Sequence, residues 1–476
     1  MRMGTRQVFA CVVLLSITAP LAAGVYSAQL AHECDLLMQA AVKRPYGWGW
    51  DNTPAVAPAG RSTAPRHVTM EPLGTPAAGF LLLSAAKLLN DPKFEQAAMM
   101  TAKGVASAQA ANGQIPAHAI FRSTEAGGRD DATPVPDRAA TRAGLVLLLG
   151  VINNDHAKAE PLNRATQRAV LWLTKQASDD GGWPTAIENE SPIAPHDTLR
   201  IIRLDSADYR DSTYAMLLAS SILGDRPLTI ATNKSVQKLL ALRLEGKLDE
   251  PTDDPADVTK QAAHLWSTAY RMDGSIDKKL KDFPMSADVL ASKYAMQTLL
   301  GAYLMTGEKQ TGVALDAAAQ ALNEMRRGEH TWKRVYRLAP TTAPASAPTT
   351  EQTGDTFHPP PTNVLGPWIT GTFGVEPTLD AVNQLKVLGH VRYEQMLAEQ
   401  FTTQEHLAAA VCGLTDDPLT LQLPVTRAEV NEYLKAHDDQ FTAALAGPVP
   451  DELAPRLKRL WILLIRAKLE NMLEGP

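Results

Sequence analysis

The chain has 476 residues, with 52 acidic against 46 basic side chains for a formal charge of −6, and 45% of its residues are hydrophobic. That balance leaves no basic footprint for nucleic acid, and the length supports a large core together with a second unit. The three cysteines, Cys11, Cys34 and Cys412, are too few and too scattered to staple a fold, so packing has to hold it.

The first segment starts with Arg2 and Arg6, continues through an apolar run from Val8 to Ala19, and closes on Ala22-Ala23-Gly24, small residues that suit a signal peptidase. Pro20 interrupts the run before the ~20 apolar residues that a membrane span needs. Residues 1–28 are therefore expected to be an export signal. The mature protein is expected in the periplasm or outside the cell, with no membrane span after cleavage.

Beyond the leader, an apolar helical run followed by a glycine-bearing turn recurs. Leu36–Val42 leads into Tyr46-Gly47-Trp48-Gly49-Trp50, and Ala102–Gln109 into Asn112-Gly113-Gln114-Ile115-Pro116. Ala165, Ala169, Trp172, Leu173 and Gln176 keep helical spacing before Asp179-Asp180-Gly181-Gly182-Trp183-Pro184. His264–Tyr270 then precedes Asp273-Gly274-Ser275-Ile276. Such units bury their apolar stripes only by stacking. The gaps are too long and irregular for tetratricopeptide, ankyrin or armadillo periods. Inserts rich in Gly, Pro and Asp fit a closed α/α toroid over residues 29–338, with long loops gathered at one end.

Several helices share a stop signal: Leu89-Asn90-Asp91-Pro92, Ile152-Asn153-Asn154-Asp155, Leu223-Gly224-Asp225 and Met305-Thr306-Gly307. Period-two alternation is scarce, so a large sheet is not expected, although short strands fit near Thr331–Leu338. Residues 339–364, rich in Pro, Ala and Thr, read as a linker. Leu379–Gln400, Arg427–Leu445 and Asp451–Leu473 read as three amphipathic helices of a small C-terminal helical domain, residues 365–476. The fold class is thus all-α, an α/α toroid of helical hairpin repeats with a helical C-terminal unit.

No zinc-helix, nucleophile-elbow, phosphate-loop or Cys-x-x-Cys motif is present. Two charged clusters remain. Arg200, Arg203, Asp205, Asp208, Arg210 and Asp211 precede a helix starting near Ser212. Three close carboxylates suit a hard cation such as calcium, and arginines suit a carboxylate-bearing substrate. The alternative is a salt-bridged loop in which Asp211 or Ser212 caps the helix. Arg271, Asp273, Asp277, Lys278, Lys279, Lys281 and Asp282 form the second cluster, either a site for a base or a solvated run. Trp183 and Trp48 or Trp50 would either floor a sugar subsite or anchor turns.

The Gln176–Pro184 stretch resembles the Gln-x-x-x-Gly-Gly-Trp-Pro element of the family-ten pectate lyases, secreted α/α-toroid enzymes. Ala215-Met216, Thr268-Ala269-Tyr270 through Asp273, Asp282-Phe283-Pro284 and Thr331-Trp332-Lys333-Arg334-Val335-Tyr336 resemble further stretches of that family in the same order. Terpene cyclases share the Gly-Gly-Trp-Pro element, but the Asp-x-Asp-Asp acid they need is not found here. The resemblance implies β-elimination on a uronate polymer such as pectate: a base takes the C5 proton, made acidic by neutralising the neighbouring carboxylate, and the C4 oxygen leaves. It implies calcium at Asp205, Asp208 and Asp211, neutralising help from Arg203 or Arg210, and Lys279 as the base. Trp183, Trp50, Arg200 and Arg271 are the expected contacts to an acidic polysaccharide. A toroid glycosidase using paired carboxylates and a non-catalytic glycan- or protein-binding repeat protein remain alternatives.

Overall fold

A computed structural model describes residues 24–51, 66–122, 138–157, 159–187, 199–244, 248–249, 264–275, 286–326, 328–333, 335–338, 370–416, 419 and 427–474. Among them the chain is all-α, with short strands confined to connections. The helices are α1 (Val25–Ala40), α2 (Thr75–Leu89), α3 (Pro92–Ala108), α4 (Arg138–Asn154), α5 (Asn163–Gln176), α6 (Asp208–Leu223) and α7 (Arg226–Ala241). They continue with α8 (Val289–Thr306), α9 (Lys309–Glu324), α10 (Glu376–Leu388), α11 (His390–Gln400), α12 (Thr403–Val411), α13 (Arg427–Leu445) and α14 (Leu453–Glu474).

The stop signals work as their chemistry requires. Asn90, Gly224 and Gly307 adopt the left-handed conformation after α2, α6 and α8, and their N–H groups bond back to Ala86, Ser220 and Tyr303 carbonyls. Pro92 then opens α3, capped by the Asp91 side chain.

Four helix pairs follow one another: α2 with α3, α4 with α5, α6 with α7 and α8 with α9. Within this series α2 packs on α4, α4 on α6 and α6 on α8. These four are buried along most of their length, whereas α3, α5, α7 and α9 bury one face and lie outside. The short helix α12 lies against α4, α6 and α8, α10 leans on α8 and α9, and α14 packs on α1 and α2. One apolar core therefore runs from Leu30 to Ala467.

The same ties recur where an outside helix hands over to the next buried one. The Trp50, Trp266 and Trp332 indoles donate to the Leu37, Leu239 and Leu322 carbonyls at 2.8 Å each. Backbone N–H groups of Trp50, Ile115 and Trp266 donate to the Thr75, Thr141 and Ser292 hydroxyls near the starts of α2, α4 and α8. Gly113 (φ 100°) and Gly181 (φ 94°) press these turns onto the outside helix of the following pair. A Cβ there would lie 2.1 Å from the Arg168 oxygen and 2.3 Å from the Lys234 carbonyl carbon.

Pro184–Ile187, Leu199–Arg203 and Ala269–Arg271 form a three-stranded antiparallel sheet, with Ile202 opposite both Pro184 and Tyr270, and it leads the chain into α6. The strand expected near residues 331–338 is present in two pieces, Trp332–Lys333 and Val335–Leu338. Two expectations change. Leu379–Gln400 is two helices, because Gly389 takes φ 76°, ψ 161° between them, and α12 adds a buried helix where none was expected. Residues 25–28 form the first turn of α1. The linker span 339–364 lies outside the described residues. Among the described residues no helix is long and apolar enough to cross a membrane.

Candidate functional site

The connections carrying strands meet the buried helices at the starts of α4, α6 and α8, and charge collects there. Asp208, the first residue of α6, accepts from two arginines one turn apart on α4. Arg138 Nε reaches Asp208 Oδ1 at 3.2 Å, its Nη2 bonds Oδ2, and its Nη1 donates to the Pro184 carbonyl at 3.0 Å. Arg142 Nη1 bonds Asp208 Oδ1 and also donates to the Asp208 carbonyl at 3.0 Å and the Ser212 hydroxyl at 2.8 Å. Burial alone would raise the Asp208 carboxyl, but the Arg142 and Arg138 charges outweigh it and hold the group below the ordinary aspartate value. The Asp208 side chain is 28% exposed, so one flank of this fork faces solvent.

A second group sits one turn into α6. Arg210, 2% exposed, donates to Asp211 Oδ1 at 2.8 Å, Gln297 Oε1 at 2.7 Å and the Asp416 carbonyl at 2.9 Å. Its guanidinium lies 5.3 Å from the Tyr294 ring and 5.9 Å from that of Tyr214. Gln297 also donates to Thr378 and to the Asp416 carbonyl, so α6, α8, α10 and the segment after α12 are joined through Arg210 and Gln297 together. Lys293, buried near the start of α8, also lies 5.5 Å from the Tyr294 ring.

The residues expected to bind metal do not form one carboxylate cluster. Asp205 is held by Arg203 (2.9 Å), Asp208 by Arg138 and Arg142, and Asp211 by Arg210. Among the described residues no three acidic, His or Cys side chains gather to hold an ion. Each of the three carboxylates is instead paired with a guanidinium.

The expected sugar platforms are enclosed. Trp183 is 1% exposed and donates its indole N–H to Thr213 Oγ1 at 3.1 Å, and Trp50 is 2% exposed and bonded to Leu37. Both anchor turns, since the turns need an apolar plug with one satisfied donor. Trp183 nevertheless has Arg138 6.0 Å above its ring. Arg203 stands on the surface with its side chain 44% exposed, apart from the arginine fork. Arg200 pairs with Ala186 and Arg271 with Ile201 in the three-stranded sheet, which puts their backbones beside the entry to α6. Lys279, the expected base, lies outside the described residues.

Sequence reasoning missed Arg138, Arg142, Lys293 and Gln297. The available signal was a charged or amide residue interrupting an apolar helix, since Arg142 and Gln297 sit within otherwise buried runs of α4 and α8.

No family model matches this chain, and no curated protein matches it. Among solved structures it is distantly similar to a UGL variant with dGlcA-Glc-Rha-Glc, at 14% identity and a TM-score of 0.33, over 53% of this chain and 62% of that one. A mutant Family 10 polysaccharide lyase from Cellvibrio cellulosa in complex with trigalacturonic acid gives 14% identity and a TM-score of 0.31, over 52% and 72%. The matched part thus spans less than two thirds of the first of these. At such TM-scores the likeness bears on neither the site nor its chemistry.

Proposed function

We propose that this is an exported α/α-toroid protein that engages an acidic polysaccharide, a uronate polymer such as pectate, where α4, α6 and α8 begin. The observation that carries the reading is the fork of Arg138 and Arg142. It already grips one carboxylate from two directions beside solvent, the geometry in which guanidinium groups bind a uronate carboxylate. In this reading residues 365–476 supply α12, which packs against α4, α6 and α8.

Gripping the uronate carboxylate in place of that of Asp208 would acidify its C5 proton. A base takes that proton, the C5–H electron pair forms the C4–C5 double bond, and the C4–O bond breaks. Lys279 keeps the role of base that the family resemblance gives it. Neutralisation is assigned here to Arg138 and Arg142, with Asp205, Asp208 and Asp211 each paired with arginine. Binding without turnover is the second reading, favoured by the enclosure of Arg210 and Asp211 and of both tryptophans.

Incubation of the purified mature protein with polygalacturonate separates the two. Absorbance growing at about 235 nm, where an unsaturated uronate absorbs, marks proton loss at C5. Binding with flat absorbance leaves the second reading, and no binding at low salt ends both. Asp208→Asn, which frees the fork of its internal carboxylate, is expected to tighten binding several-fold, and unchanged affinity would place the polymer elsewhere.

A further inference from the structure

We infer that the exported chain is cut beside Gly24, so that the mature protein begins at Gly24 or Val25 and its new α-ammonium group pairs with the Glu470 carboxylate. The inference rests on the export reading of the leader and adds where the leader ends. A cut after Gly24 puts small residues, Ala22 and Gly24, at the two positions that signal peptidases read, whereas a cut after Ala23 puts Leu21 at the outer one. Gly24 is buried against the far end of the chain, and a Cβ on it would lie 2.2 Å from the Glu470 carboxyl carbon.

Everything after Val25 is already in use. The Tyr26 and Ser27 N–H groups, which a helix start leaves without intrahelical partners, donate to Glu470 Oε2 at 2.9 and 3.2 Å. The Ser27 hydroxyl donates to Asn471 Oδ1 at 3.1 Å. Further along α1, Glu33 is clasped by Arg459 of α14 while Leu30, Cys34 and Leu37 enter the core. A cut at residue 28 would remove Tyr26 and Ser27 and leave Glu470 facing no donor. A cationic group at a helix start opposes the helix dipole, and a carboxylate directly across from it offsets that cost.

The step is a hydrolysis: the peptide bond after Ala23 or Gly24 breaks, water gives its OH to the acyl carbon and its hydrogen to the departing nitrogen. Because Glu470 belongs to the last helix, Gly24 becomes enclosed only once α14 has docked, so the peptidase acts before folding is complete.

The test is N-terminal sequencing and intact mass of the full chain produced in an export-competent bacterium. A start at Gly24 or Val25 is the expected result. A start at any other residue overturns the placement while leaving export intact. A chain retaining Met1 and confined to the cytosol overturns export and the inference with it. In the processed protein, Glu470→Gln is expected to lower Tm by about 2 °C, and an unchanged Tm would overturn the pairing.

Discussion

The two ends of the buried helices treat charge in opposite ways. Where α4, α6 and α8 begin, arginines and acids are drawn inside and interlinked, with Arg142, Arg210 and Asp211 all enclosed. Where α2, α4 and α6 end, a pocket of about 130 Å³ has apolar walls including Phe80, Leu83 and Val146, and its charge is one pair at 3.4 Å, the exposed Lys87 with the partly buried Glu405. Enclosed charge costs desolvation and persists only when partnered, whereas exposed charge costs little and contributes little. The contrast directs the search for chemistry to the loop-bearing end.

The sharpest way to break that contrast is Trp183→Ala. As a buried anchor its loss should cost about 4 kcal/mol in urea denaturation; a folded variant of unchanged stability that has lost polymer binding would instead make the indole a platform. Next comes Asp208→Ala, which removes the carboxylate shared by two arginines and is expected to cost about 3 kcal/mol. Its pH dependence has a definite sign. The folded carboxyl titrates below its unfolded value, so its contribution is present above the unfolded pKa and is lost as pH falls through the folded one. The stability gap between wild type and Asp208→Asn should therefore shrink from about pH 5 downward.

At the opposite end, Thr402→Ala removes the capping box that Thr402 and Glu405 form at the start of α12, with an expected loss of about 1 kcal/mol in the same denaturation assay. Asp205→Ala, which breaks the pair with the 44%-exposed Arg203, should change stability by less than about 1 kcal/mol. If it matched Asp208→Ala, the distinction between enclosed and exposed charge would fail.

Local chemistry was readable from the chain alone. Asn90, Gly224 and Gly307 end their helices because left-handed backbone and a following break are encoded within a few residues. The start and end of α13 match the apolar spacing from Arg427 to Leu445. What escaped detection depends on distance along the chain. Arg138 meets Asp208 across 70 positions, and Arg210 meets the Asp416 carbonyl across 206. No spacing rule links such residues, so the acids of 205–211 read as neighbours in sequence when each had a separate guanidinium partner. The tryptophans were ambiguous for a related reason: a glycine-flanked indole reads alike as a turn plug or a stacking surface until burial decides.

The glycine contacts have a consequence for how this molecule can change over time. With Gly113 and Gly181 seated on main-chain atoms of the neighbouring helix, the spacing between successive pairs is set by backbone touching backbone. Drift on the outer faces of α5 and α7 can thus recolour the surface freely while the pitch of the stack stays constant, and novelty has to enter through the inserts.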